Sequence, residues 1–138
     1  MKTKFVAFAV AAGFMLATGS VIAHHSFAAE FDAMKPINLK GIVTKIEWSN
    51  PHTYFYMDVT GSDGKVANWG MEMGSPNGLM RQGWTRNTLH IGDEVTVEGA
   101  QAKDGTNVGN ARAVILAATG KRLFAASSQT ETPPPQQR

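Results

Sequence analysis

The stretch that decides the fold is HTYFYMDVT-GSDG-KVANWGMEM, residues 52–73, in which two alternating segments flank a glycine-bounded turn. In the first segment the odd-numbered residues 53–59 fall on one face and the even-numbered ones on the other, as in a half-buried strand. Gly61–Gly64 contains residues that tolerate positive φ angles, which predicts a hairpin turn. We therefore predict antiparallel strands over His52–Thr60 and Lys65–Met73.

A longer strand is predicted before this hairpin. Residues Ile37–Ser49 alternate and are rich in β-branched side chains, and Gly41 within them predicts a bend. The Asn-Pro pair at 50–51 predicts a turn into the hairpin. Further upstream, Phe27 and Phe31 are four residues apart, so we expect them to dock as one apolar edge.

A short helix and two more strands are predicted after the hairpin. Ser75-Pro76 supplies a helix N-cap and a proline at the first helical position, which predicts a helix over Asn77–Gln82. Strands are predicted at Glu94–Ala100 and Asn110–Ala118, and Lys121–Phe124 is expected to extend the second. Three strands, a helix and two strands match the OB-fold, a five-stranded, partly open Greek-key barrel. We therefore predict an all-β, OB-like barrel with one short helix between strands 3 and 4.

Residues 1–23 have the pattern of a secretory signal peptide. Lysines at positions 2 and 4 precede an apolar run over Phe5–Gly19, and short side chains at Val21 and Ala23 mark a cleavage site. The run is short for a membrane span of about 20 residues, so we expect cleavage rather than a retained anchor. The protein is then expected in the periplasm, with no membrane span after processing.

The predicted chain has four parts. They are the signal peptide (1–23), an N-terminal segment (24–36), the barrel domain (37–124) and a Pro/Gln-rich disordered tail (125–138).

Charge, cysteine content and motifs exclude several classes of function. The signal peptide holds two of the thirteen basic residues, which leaves eleven basic and eleven acidic residues and no electrostatic footprint for nucleic acid. The chain has no cysteine, so it forms no disulfide or thiolate metal site. It also lacks a nucleophile elbow, a P-loop and a His-Glu-x-x-His motif. We therefore expect a binding protein in preference to an enzyme.

Cleavage after the signal peptide would make His24 and His25 the first two residues. The α-amine and imidazole of His24 can chelate one metal ion, and a second imidazole would complete a histidine brace. A competing mode uses the amine, a backbone amide and His25, and both nitrogen-rich modes favour copper. His52 and His90, at predicted strand starts, are the other candidate ligands, whereas the alternative is that all four histidines are incidental. A histidine ligand needs an acceptor for its second nitrogen, and nearby acidic residues are Glu30, Asp32 and Glu47.

An alternative function is a periplasmic OB-type binding or assembly module. Trp48, Tyr54 and Tyr56, together with Trp69 and Trp84, could form a stacking platform for a glycan, a peptide or a protein partner. Ordinary core packing of these aromatic residues is the other interpretation.

Two further hypotheses have less sequence support. Met71 and Met73 lie on one strand face and could offer thioethers to Cu(I), although Trp69 on the same face favours core packing. A redox enzyme with a brace copper would need an open coordination position and a substrate groove, and the sequence identifies neither.

Four segments carry a family resemblance. They are HHSFAAEFD at 24–32, GIVTKIEWSNPH at 41–52, SPN at 75–77 with GW at 83–84, and GDEVTV at 92–97. With them the chain resembles a family of exported proteobacterial proteins that is known as a domain of unknown function. The resemblance extends over nearly all of the mature chain, and it implies a small exported β-domain without implying an activity.

Overall fold

A computed structural model describes residues 27–126. Within this range the elements are α1 (Phe27–Glu30), β1 (Phe31–Glu47), β2 (Tyr54–Thr60), β3 (Val66–Glu72), α2 (Pro76–Arg81), β4 (Glu94–Ala102), β5 (Val108–Leu116) and β6 (Arg122–Phe124). The predicted signal peptide, His24, His25 and nearly all of the predicted tail lie outside the described residues. None of the helices between residues 27 and 126 is long and apolar enough to cross a membrane.

The strands close into a barrel. β1 pairs antiparallel with β4 over most of its length and with β2 at its C-terminal end, so it has a neighbouring strand on each edge. The strand order is β3-β2-β1-β4-β5-β6, and a parallel pairing between β3 and β5 closes five of these strands into a ring. With α2 between β3 and β4, this confirms the predicted all-β, OB-like barrel.

The β2–β3 hairpin has the predicted faces. Its register is regular from Tyr54 opposite Glu72 to Thr60 opposite Val66. The odd-numbered residues 53–59 are buried. They pack in one core whose largest fully buried side chains include Trp84, Phe55, Met57, Met71 and Met73. The core-packing interpretation therefore applies to both methionines and to Trp84, whose indole N–H also donates to the Phe124 carbonyl at 2.8 Å.

Most strand ends shift by one or two residues from the prediction, and two differences are larger. β1 begins at Phe31 rather than at Ile37, because a register irregularity between Phe31 and Pro36 accommodates a proline that has no N–H to pair. Lys121–Phe124 does not extend β5. The chain reverses through Gly120, whose φ is 70°, and forms the antiparallel strand β6 instead.

The first described residues form an arm against the barrel, which we call the N-terminal arm (Phe27–Phe31). The rings of Phe27 and Phe31 stack with their centroids 5.7 Å apart, which confirms that they dock together. Phe31 is buried against Ala100 and Ala102 in a second, smaller cluster. Lys103 binds the arm twice, since its backbone N–H donates to the Glu30 carbonyl at 2.9 Å and its ammonium donates to the Ala28 carbonyl.

Candidate functional site

A buried carboxylate joins two of the residues singled out from the sequence. Glu72, at the end of β3, is only 5% exposed. Its Oε1 lies 2.8 Å from His52 Nδ1, and its Oε2 accepts a hydrogen bond from the Tyr54 hydroxyl. The pairing of β2 with β3 produces this contact, because Tyr54 lies directly opposite Glu72. We call these three side chains the His52–Glu72–Tyr54 cluster.

The cluster fixes which nitrogen of His52 can bind a ligand. An ionised carboxylate only accepts hydrogen bonds, so in the neutral imidazole the contact assigns the proton to Nδ1. Nε2 then carries the lone pair, and the side chain is 30% exposed. Metal-binding histidines have this arrangement, in which a carboxylate holds the second ring nitrogen and orients the ring.

The Tyr54 hydroxyl is a hydrogen-bond donor in this cluster and stays protonated. Burial raises the pKa of its hydroxyl above the usual range, and the hydrogen bond to Glu72 and the charge of that carboxylate raise the pKa further. The phenol therefore keeps its proton at neutral pH and continues to donate to Glu72.

Tyr56 belongs to a different, more exposed group. Its hydroxyl donates to Glu47 Oε2 at 3.4 Å, and the Lys45 ammonium lies 5.1 Å from its ring centroid. Lys45 also forms an ion pair with Glu47, and the hydrogen bond lowers the pKa of that carboxyl. Trp48, the third proposed ligand-binding aromatic, is partly buried and packs against the main core.

His90 and His52 have different surroundings. The backbone N–H of His90 donates to Asp93 Oδ2 at 2.8 Å, and its exposed imidazole lies 3.6 Å from the same oxygen. This turn is held to β1, because the Asp93 carbonyl accepts from Val43. Among residues 27–126, no group of three or more histidine, aspartate or glutamate side chains is arranged to hold a metal ion.

A cavity of about 390 Å³ lies beside the cluster, and we call it the arm groove. The N-terminal arm and the β4–β5 hairpin form its sides. Its lining consists of Ala29, Glu30, Phe31, Tyr54, Glu72, Ala102, Lys103, Asp104, Thr106 and Val108. The groove therefore touches two members of the cluster and the arm that leads back to His24.

Sequence reasoning missed the acceptor for His52. It considered Glu30, Asp32 and Glu47, whereas the structure uses Glu72. A signal was present, because the turn at 61–64 sets the hairpin register and places Tyr54 opposite Glu72. The alternation of β3 also puts Glu72 on the face opposite the two buried methionines.

Comparisons with known proteins give a family and no activity. No curated protein and no solved structure matches the chain. A model described as a family of unknown function, DUF6152, matches residues 13–111, which is most of the chain and includes the cluster and the arm. The chain therefore belongs to the DUF6152 family.

Proposed function

We propose that this protein is an exported, periplasmic metal-binding protein that carries or buffers copper through its processed N-terminal histidine. The ligands are the α-amine and imidazole of His24 and the imidazole of His52, with His25 as a competing ligand. The observation that carries the proposal is the contact between His52 Nδ1 and the buried Glu72 carboxylate.

The chemistry of this ligand set favours copper. One amine and two imidazoles are nitrogen donors, and a tetragonal nitrogen site suits Cu(II) better than other divalent first-row ions. The Glu72 contact supports His52 in this role, because it orients the ring and makes Nε2 a stronger donor.

The position of the N-terminal arm also supports the proposal. Three residues, 24–26, precede Phe27, and an extended chain of that length reaches about 10 Å. The arm is bound to the barrel by Lys103 and borders the groove that contains Tyr54 and Glu72. Residues 29–31, five to seven positions after His24, therefore line the same groove as Tyr54 and Glu72.

Two measurements test the copper proposal. The intact mass of the exported protein should correspond to a chain that begins at His24, and adding Cu(II) should raise it by one copper ion. Cu(II) titration followed by EPR should then give a tight nitrogen-ligated site. A chain with one extra residue before His24 should lose most of this affinity, because its α-amine no longer forms the chelate with the His24 imidazole.

Variants separate the ligands. His52→Ala should weaken Cu(II) binding strongly, and Glu72→Gln should weaken it by about 10- to 100-fold, because the ring loses its carboxylate partner. His90→Ala is the matched control and should leave binding unchanged. Unchanged affinity in both His52→Ala and the extended chain would overturn the proposal. If the extended chain loses Cu(II) affinity but His52→Ala does not, the second imidazole ligand is His25 rather than His52.

A second candidate function is an OB-type binding module for an extended ligand or a protein partner. The arm groove favours it, because OB-folds bind ligands at strands 2–3 and at the loop between strands 4 and 5, and the groove lies between these elements. Tyr54→Ala should abolish binding of glycans or peptides on an array. Tyr56→Ala tests whether the more exposed group around Tyr56 also contributes to binding. Equal binding by both variants and the parent chain would count against this function.

A further inference from the structure

We propose that the N-terminal arm exchanges between two copies of this chain, so that in a two-fold dimer each arm packs against the barrel of the other copy. Residues 29–31 form part of the lining of the arm groove, beside Tyr54 and Glu72. In the exchanged dimer each groove is therefore completed by the second copy. Neither copper nor any other ligand takes part, so the exchange is independent of both candidate functions.

The contacts of the arm are separate from the main core. Phe31 is buried in the small second cluster, and the ring of Phe27 stacks on it. Lys103 holds two backbone carbonyls of the arm. The arm of a second copy restores every one of these contacts, because it is the same segment as the one it replaces. Exchange of an identical element is therefore a low-cost route to a dimer.

The connection between the arm and the rest of β1 has slack. Phe31 lies opposite Ala102 and Pro36 lies opposite Ala100, so residues 32–35 take up a length for which β4 uses one residue. None of these four residues is buried. When straightened they span about 13 Å. The arm can therefore leave its own barrel while β1 stays paired from Pro36 onward.

The connection also carries charges that complement a second copy of itself. Residues 32–35 read Asp-Ala-Met-Lys. When two such segments cross antiparallel at their centre, Asp32 of each copy lies opposite Lys35 of the other, and opposite charges that face each other across strands attract. In the single chain Asp32 accepts the Met34 N–H at 2.9 Å, and the Lys35 ammonium lies 3.5 Å from the Lys103 carbonyl.

Met34 gives a further reason to place the crossing here. Its side chain is 87% exposed, more than any other large apolar side chain between residues 27 and 126. At an antiparallel crossing of the two connections, Met34 packs against Ala33 of the second copy. The exchange therefore removes from water the apolar side chain that the single chain leaves most exposed.

The first test uses cysteine pairs, because the chain has no cysteine of its own. The Lys103 N–H donates to the Glu30 carbonyl. Their Cα atoms are then about 5.5 Å apart, as in an antiparallel pair, which suits a disulfide. A chain with Glu30→Cys is mixed with a chain with Lys103→Cys and oxidised in the presence of a chelator. Exchange should give a disulfide between the two chains, detected by intact mass.

Two controls make this result decisive. Lys121→Cys replaces Lys103→Cys in a control mixture, because Lys121 is exposed and lies opposite the far end of β5 from the groove, and it should cross-link only at the collision rate. Both cysteines in one chain (Glu30→Cys with Lys103→Cys) should form an internal disulfide in the monomer. Light scattering of the parent chain should show a dimer that grows with concentration. A chain that stays monomeric, or a mixed pair that cross-links no faster than the control, would overturn the proposal.

The second test measures the crossing through dimer dissociation constants. Asp32→Lys and Lys35→Asp should each weaken the dimer several-fold, because each places like charges opposite one another, and the double variant should restore the affinity of the parent chain. Met34→Ser should also weaken the dimer several-fold. Ile91→Ser is its control, because Ile91 is 71% exposed but lies away from the connection, and it should leave the dimer unchanged. A double variant no tighter than the single ones, or equal losses in Met34→Ser and Ile91→Ser, would contradict the exchange.

Discussion

At the scale of single residues, Glu72 is the side chain that organises the site. A buried carboxylate is costly unless its oxygens receive hydrogen bonds, and here His52 and Tyr54 each bind one oxygen. The same two contacts that stabilise Glu72 also fix the imidazole and the phenol. Stability and ligand orientation therefore depend on one carboxylate at this position.

Tyr54 should make the stability of the protein fall at alkaline pH. In the unfolded chain a tyrosine loses its proton near pH 10, whereas the raised pKa of Tyr54 keeps the proton in the folded chain. Above about pH 10 folding therefore takes up a proton, and the free energy of unfolding decreases as pH rises; below that pH the contribution is fully present. The slope cannot exceed about 1.4 kcal/mol per pH unit, because only one proton is involved, and solvent screening of the half-buried phenol reduces the total effect.

Urea unfolding between pH 8 and pH 11 measures this effect. The difference between the parent chain and Tyr54→Phe should narrow as pH rises, since the variant has no proton to lose. Tyr56→Phe removes a phenol from the same face of β2 and serves as the control. A constant difference between the parent chain and Tyr54→Phe across this range would contradict the assignment.

At the residue scale, the sequence predicted candidate site residues but not the contacts between them. Alternation placed His52, Tyr54 and Tyr56 on one face, and the structure agrees. Alternation says nothing of which cross-strand partner each side chain meets, because that depends on register. Alternation alone therefore does not identify Glu72 as the shared partner of His52 and Tyr54.

At the scale of elements, Gly41 allows β1 to pair with both β4 and β2. It pairs with Val95 of β4, just before β1 also begins to pair with β2. A Cβ at this position would lie 2.6 Å from the Asp58 carbonyl oxygen and 3.2 Å from Met57 Sδ. The close oxygen belongs to the backbone, so relieving the contact would disturb the β1–β2 pairing.

Gly41→Ala should therefore lower the free energy of unfolding by about 1–3 kcal/mol, as expected for overpacking in a closely packed barrel. Gly70→Ala is the matched control on β3. Its Cβ would meet only the Tyr56 ring, at 3.2 Å, and a half-exposed side chain can move. Urea midpoints at constant m-value measure both variants, and an equal or larger loss in Gly70→Ala would contradict the argument.

Local sequence patterns predicted the elements whose formation depends on residues that are close together in the sequence. The hairpin, α2 with its Ser75 cap and the alternation of β4 all follow from nearby residues. The start of β1 was missed because Pro36 normally interrupts a strand, and only the irregular pairing with β4 allows it. Lys121–Phe124 was predicted as an extension of β5, and the reversal at Gly120 that makes β6 a separate strand paired with β5 was missed.

At the scale of the whole molecule, the ring closes through contacts that are distant in sequence. The parallel β3–β5 pairing joins residues separated by the whole of α2 and β4. The predicted order of elements was enough to suggest an OB-like barrel, because few small folds place a helix between strands 3 and 4. It could not show how the N-terminal arm or the C-terminal end of the domain packs, since those contacts have no local periodicity.

The C-terminal end gives a test of this closure. The domain was predicted to end at Phe124, yet Ala125 and Ala126 are 0% and 3% exposed. Ala125 donates its N–H to the Arg112 carbonyl and accepts from the Gly74 N–H, both at 2.8 Å. This residue therefore ties β5 to the segment between β3 and α2.

A chain ending at Phe124 should accordingly be less stable than one ending at Ala126. Two backbone hydrogen bonds and a buried contact are lost, and each bond contributes about 0.5–1.5 kcal/mol, so the free energy of unfolding should drop by about 1–3 kcal/mol. Urea unfolding of the two truncated chains measures the difference directly, because both lack the same later residues. Equal midpoints would mean that the barrel is already complete at Phe124 and that the ring closes without the Ala125 contacts.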